Sequence, residues 1–397
     1  MRSKKKWKGS EMPGPLEGVR VVEFANGVAG PLACRFLGDA GADVIKAEDA
    51  PGDYARFWYP QTNKSSAVFN SLNRNKRSIC ISSGEMGELI GLANLADVLV
   101  IDSDVVKEYS VEIESMMQGN PRIVICVISG WGPEGPWANR AGGELPAQLA
   151  SEVTSSLGTL GEEPVRLAAD HGGALAATYA TQAIIAALIA VDARGGQRID
   201  VSLFGSLLHA RATMWVALSN PDEWGGFHHD SYVKPPEHNY TCKDRRIYIS
   251  IGRVKDKAAL VRDLGMDFVF HDPRWPLFEQ CSAGGTGKYA HLLHDLWDRG
   301  LAVWDSAEAA DIITRHGGWV AFGLSHQEFL ADAHVREMGL VVAVPDQDGG
   351  TSFDIRPPWQ FSDTPATIRL PAPRLDQHGE EIRRTILQSG EWIAQFG

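Results

Sequence analysis

From residue 15 onward, apolar residues fall in short continuous runs, separated by stretches where they recur every three or four positions. The runs at 19–24, 42–47, 78–82, 97–101 and 123–128 predict strands. The stretches at 31–39, which has Pro31 in its first turn, and at 85–95 predict helices. Strand–helix–strand alternation of this kind predicts an α/β fold built on a mainly parallel sheet with helices on both faces. Two helices follow at 144–156 and 173–192, then a strand at 198–201 and a helix at 202–218. The pattern breaks at 220–239, where Pro, Gly, His and Trp cluster as in a linker or long loop. Residues 240–324 predict a smaller α/β domain with a strand at 246–251. A helix at 326–338, a strand at 340–344, a Pro-rich stretch at 357–373 and a last helix at 380–389 complete the chain.

Composition and charge narrow the function. Lys plus Arg number 38 against 50 Asp plus Glu, a net charge of −12, and such a surface disfavours nucleic acid as a partner. The most apolar stretch, 174–191, falls short of the ~20 residues that span a bilayer. Polar Thr178, Thr181 and Gln182 interrupt it, so it predicts a core helix and no membrane anchor. Residues 1–14 carry Lys4, Lys5, Lys6 and Lys8 without an apolar stretch behind them, which predicts a flexible tail and no export signal. The five cysteines, Cys34, Cys80, Cys126, Cys242 and Cys281, are scattered and never form a C-x-x-C pair. That distribution predicts a reducing, cytoplasmic location without a structural zinc site, and the histidines lack ligand spacing, so no metal is expected.

Three stretches carry candidate chemistry. The first βα turn, Phe24-Ala-Asn-Gly27-Val28-Ala-Gly30-Pro31, lets a ligand approach the backbone at a helix start, but it lacks the G-x-G-x-x-G spacing of a nicotinamide site. The basic run Asn73-Arg74-Asn75-Lys76-Arg77 reads either as a solvated strand edge or as a clamp for phosphates, which coenzyme A would need. Asp170, in Ala-Ala-Asp170-His-Gly-Gly173, reads either as a helix N-cap or as a carboxylate nucleophile. In the second reading two glycines admit a ligand, and the helix start offers N–H groups to an oxyanion.

The chain resembles the class III CoA-transferase family. The resemblance rests on Pro15-Leu-Glu-Gly-Val-Arg-Val-Val-Glu, Ala29-Gly-Pro31, Gly41-Ala-Asp-Val-Ile-Lys46-Ala-Glu48, Asn73-Arg-Asn-Lys-Arg-Ser78 and Ala96-Asp-Val-Leu-Val100. It continues through Asn120-Pro-Arg122, Ile128-Ser-Gly-Trp-Gly132, Gly196-Gln-Arg-Ile-Asp-Val-Ser-Leu203 and Pro371-Ala-Pro-Arg-Leu-Asp-Gln-His378. It implies a Rossmann-like large domain (15–219 and 326–397), a linker and small domain (220–325), and an interlocked homodimer. It also implies acyl-CoA and a small carboxylic acid as substrates, with no tightly bound cofactor.

In that family Asp170 falls on the catalytic aspartate, which forms an anhydride with the acyl group and then an aspartyl-CoA thioester. Glu144 falls on an assisting acid whose alternative is a first-turn helix acid. Gly27 and Val28 fall on the CoA-contacting turn, Ile81 beside the nucleotide, and Asp49 where some members place a basic nucleotide contact. Asp102 and Ser103 open a stretch, Asp102-Ser-Asp-Val-Val106, that replaces an Asn-Phe-Arg-Pro-Gly-like CoA contact. The racemase branch needs a His where this chain has Gly143. Alternatives on the same scaffold are a CoA-dependent lyase or isomerase, or a catalytically weak CoA-binding partner subunit.

Overall fold

The computed structural model describes residues 14–62, 65–154, 163, 165–167, 169–212, 239–251, 253–276, 294–345 and 350–394. The expected tail and most of the expected linker lie outside the described residues, as do His228, His229, Cys281 and His291. The chain divides into two compact units, one of residues 1–147, 168–209 and 333–397, the other of 148–167 and 210–332. The second unit is thus larger than the 220–325 expected from sequence. It takes in 148–167, part of which the sequence pattern assigns to a helix over 144–156.

In the first unit six parallel strands form one sheet. They are β1 (Arg20–Phe24), β2 (Asp43–Glu48), β3 (Lys76–Cys80), β4 (Val98–Asp102), β5 (Val124–Ser129) and β6 (Arg198–Ser202). Their order across the sheet is 3-2-1-4-5-6. The near-continuous apolar runs reflect burial on both faces. Val22, Ile45, Ile79, Leu99 and Ile125 pack against one layer, while Val21, Val44, Val100, Val124 and Cys126 pack against the other.

The second layer holds α1 (Ala29–Asp39) and the long helix α3 (His171–Arg194), with α2 (Glu144–Ala150) preceding it in the chain. α3 is long and apolar enough to cross a membrane by length and composition alone. Its Ala176, Ala177, Ala180, Ile184 and Ala187 are instead buried in the core beside α1. Small alanines let the two helices approach closely.

The outer edge of β3 is covered rather than exposed. Asn75 donates to the Leu370 carbonyl, Cys80 to the Asp376 carboxylate, and Ser78 to the His378 Nδ1. The C-terminal segment therefore closes an edge that would otherwise invite pairing. A hairpin of Val341–Pro345 and Thr351–Ile355 also belongs to this unit.

The second unit carries an antiparallel sheet of Asn239–Thr241, Arg246–Ser250 and Trp319–Phe322. Its own core is formed by Ile247, Leu260, Val261, Trp297, Leu301 and Ile313.

Candidate active site

In a sheet of this order, β1 and β4 are neighbours whose following helices lie on opposite faces, which leaves a crevice at their carboxyl ends. One bond spans the two strand ends: the Asn26 N–H, just past β1, donates to Asp102 Oδ2 at the end of β4, 2.7 Å away. A cavity of about 280 Å³ opens there. Five residues identified from sequence line it: Val28, Asp102, Ser103, Glu144 and Asp170. Tyr54, Trp58, Lys107, Trp131 and Arg140 also line it; Trp131 belongs to the Ile128–Gly132 stretch, while the other four lie outside every motif the sequence offers.

Asp170 occupies the N-cap position of α3, yet its side chain makes no capping bond. The cap comes from elsewhere. Glu144, 28 residues before Gly172, accepts the Gly172 N–H on one carboxylate oxygen and the Gly173 N–H on the other, both at 2.8 Å. Two expectations are corrected here. The Gly172 and Gly173 N–H groups are occupied by Glu144, so these two are not an open oxyanion site. Of the two glycines, Gly173 lines the cavity but Gly172 does not, and both also make room for protein: a Cβ on Gly172 would lie 3.0 Å from Glu144 Oε2, and one on Gly173 3.1 Å from Val28. Ala169, immediately before Asp170, has φ +61°, a left-handed conformation that is unfavourable for alanine. Strain of this sort gathers at functional sites.

The carboxyl of Asp102 is pushed up to about 7, chiefly by burial, with Asp53 and Glu23 adding to the effect against the Asn26 bond and Lys46. Burial, together with Asp102, Asp53 and Asp170, also raises the Tyr54 hydroxyl well above its ordinary value. Tyr54 is thus a proton-bearing donor on the cavity wall at any working pH.

The remaining sequence-derived residues lie away from the cavity. Gly27 (φ +73°) is buried behind it; its N–H donates to Asp53 Oδ1 at 3.0 Å, and the Tyr54 hydroxyl fills the place of a Cβ. Ile81 is fully buried in the core. Asp49 accepts from the Tyr109 hydroxyl at 3.1 Å.

The phosphate clamp expected at Lys76 and Arg77 is corrected. Lys76 Nζ is buried against Glu23 Oε2 (2.6 Å), the Pro31 carbonyl and Asn73 Oδ1. Glu23 also holds Lys46, at 2.7 Å, and Lys46 in turn reaches Asp53 at 3.0 Å. Arg77 pairs with Asp43 at 2.6 Å and Arg74 with Asp39 at 2.7 Å, all but Asp43 nearly inaccessible to solvent. These cations neutralise buried carboxylates. They are structural.

The family model for CoA-transferase family III matches residues 16–379. The chain belongs to CoA-transferase family III. It is 29% identical to succinate–glutarate CoA-transferase of Agrobacterium fabrum, covering 93% of this chain and 94% of that one. It is 27% identical to succinyl-CoA:glutarate CoA-transferase of Mus musculus, covering 95% and 87%. Among solved structures, a CAIB/BAIF family protein from Brucella suis superposes with a TM-score of 0.78 at 26% identity, covering 94% of this chain and 99% of that one. The chain is therefore a CoA-transferase, and the crevice of its parallel sheet is where this family III member places its carboxylates. Among the described residues no group of His, Cys, Asp and Glu is arranged to hold a metal.

Proposed function

We propose that this CoA-transferase moves CoA from an acyl-CoA to a small carboxylic acid through covalent intermediates on Asp170. The observation that carries the reading is the division of labour at the start of α3: Glu144 caps the helix, and the Asp170 side chain, relieved of that task, lines the cavity. A carboxylate so placed attacks the thioester carbonyl and expels CoA thiolate, giving a mixed anhydride. The thiolate then attacks the aspartyl carbonyl, releasing the donor acid and leaving an aspartyl-CoA thioester. The acceptor carboxylate attacks that thioester and expels the thiolate again. Attack of the thiolate on the acceptor's acyl carbon yields the new acyl-CoA and restores Asp170. Tyr54 supplies a hydrogen bond to the oxygen that gains charge. Glu144 acts by positioning, because both its oxygens are engaged.

Lyase or racemase chemistry has less support, since Gly143 stands where the racemase branch needs a histidine. The Rossmann-like reading of the large unit draws support from the 3-2-1-4-5-6 strand order. A homodimer draws support from α3, on which the apolar Ile185 and Ile189 are exposed. A cytoplasmic location is supported by unpaired Cys34, Cys80, Cys126 and Cys242. Incubation of the protein with a panel of acyl-CoA donors and carboxylic acids tests the reading. Acyl exchange that disappears in Asp170→Ala is expected, and exchange at the wild-type rate in that variant refutes it.

A further inference from the structure

The cavity holding Asp170 contains two cations that the transfer chemistry leaves without a role, Lys107 and Arg140. Arg140 stands on the loop between β5 and α2, and several contacts make that loop a firm wall. Trp131 Nε1 donates to the Ala141 carbonyl at 3.1 Å, Lys107 Nζ to the Ala138 carbonyl at 3.1 Å, and the Arg140 N–H to the Trp137 carbonyl at 2.8 Å. The rings of Trp131 and Trp137 meet edge to face at 5.1 Å, and Gly142 packs directly on Gly130.

The Arg140 guanidinium lies over the Trp137 ring, 5.7 Å from its centre. It forms no ion pair among the described residues, although Asp102, Asp104, Glu144 and Asp170 line the same cavity. A guanidinium resting its face on an indole keeps its N–H edges for an anion, and those edges match a carboxylate in bidentate fashion. The loop therefore presents a pre-positioned anion receptor in the cavity of an enzyme whose substrates are carboxylic acids and their CoA thioesters.

We propose that Arg140, seconded by Lys107, binds the remote carboxylate of a dicarboxylic substrate while the other carboxyl exchanges CoA at Asp170. This assignment rests on the transfer reaction proposed above and names the class of acid that it takes. Selectivity then arises from a charge at the far end of the acid, and an acid of equal length without that charge forfeits the pairing. Arg140 is a specificity residue; the covalent steps proceed without it.

Equilibrium dialysis with radiolabelled glutarate and pentanoate tests the proposal, because the two acids share a chain length and differ by one carboxylate. The wild-type protein is expected to retain glutarate about tenfold more tightly than pentanoate, the scale of one charge-assisted pair. Arg140→Gln should abolish the preference without weakening pentanoate, and Arg140→Lys should keep part of it. In turnover, Arg140→Gln should raise KM for glutarate about tenfold with kcat and the acyl-CoA KM unchanged. Absence of glutarate binding, equal binding of the two acids, or a preference that survives Arg140→Gln overturns the assignment. A parallel rise in the acyl-CoA KM also overturns it, by placing Arg140 on CoA. The dialysis needs no turnover: exchange that persists in Asp170→Ala would refute the nucleophile, while the binding preference would still be read separately.

Discussion

Glu144 and Gly172 belong to different helices, yet a 2.8 Å bond between the carboxylate and the Gly172 N–H, repeated at Gly173, fixes the start of α3. Asp170 is set by this bond pair. Glu144→Ala leaves the N–H groups of buried Gly172 and Gly173 without their acceptor and should cost about 2 kcal/mol of stability, read as a lowered denaturant midpoint. Glu144→Gln, which keeps one acceptor oxygen, should lose less stability. Both should lower kcat with little change in KM, the signature of a displaced nucleophile. A Glu144→Ala protein of wild-type stability and kcat would show that the cap is dispensable.

Gly172 has a related prediction. A Cβ there would press on Glu144 and on Leu207 at 3.0–3.2 Å. Gly172→Ala should therefore copy the kcat defect of Glu144→Ala, and combining the two should add less than the sum of the single effects. Full additivity in a double-mutant cycle would contradict the shared mechanism.

Asp102 makes stability depend on pH. Burial raises its carboxyl to about 7, so between about pH 4 and 7 the native state keeps a proton that the unfolded chain has lost. Stability contributed by this group falls as pH rises through that window and levels off above it. Asp102→Asn retains an oxygen for the Asn26 N–H and removes the titration. It should stabilise the protein at pH 8 by about 1–2 kcal/mol, discounted for solvent in the cavity, and not at all at pH 4. Urea titrations at the two pH values check this, and an equal effect at both would contradict it.

Lys76 separates a structural role from ligand binding. Lys76→Met leaves Glu23 buried with one cation instead of two and should cost about 3 kcal/mol. The folded fraction should keep the wild-type KM for acyl-CoA. A raised acyl-CoA KM at unchanged stability would restore the phosphate clamp inferred from sequence.

Much of this architecture is legible in the chain because the sheet is buried on both faces, which writes β1, β2, β4 and β5 as plain apolar runs. β3 was expected two residues late, since Lys76 and Arg77 read as surface charge when they are in fact its first, buried residues. Charge alone does not reveal that Glu23 and Asp43 fall beneath them. The position of Asp170 at a helix start was likewise legible, but that another residue caps the helix was not, because the cap comes from Glu144, 28 residues before Gly172. Tyr54, Trp58 and Arg140 escaped notice for a similar reason: loops are brought to the crevice by tertiary structure, which local periodicity does not encode.

The central claim is that the Asp170 carboxylate is covalently rebuilt in each turnover. The most direct measurement supplies an acceptor acid with both carboxylate oxygens replaced by ¹⁸O and follows the peptide containing Asp170 by mass spectrometry. Attack of the acceptor on the aspartyl-CoA thioester, followed by thiolate attack on the acceptor's acyl carbon, leaves one acceptor oxygen on Asp170. The account predicts ¹⁸O in that peptide after turnover, localised to Asp170. Turnover with product formed and no label in Asp170 would contradict it.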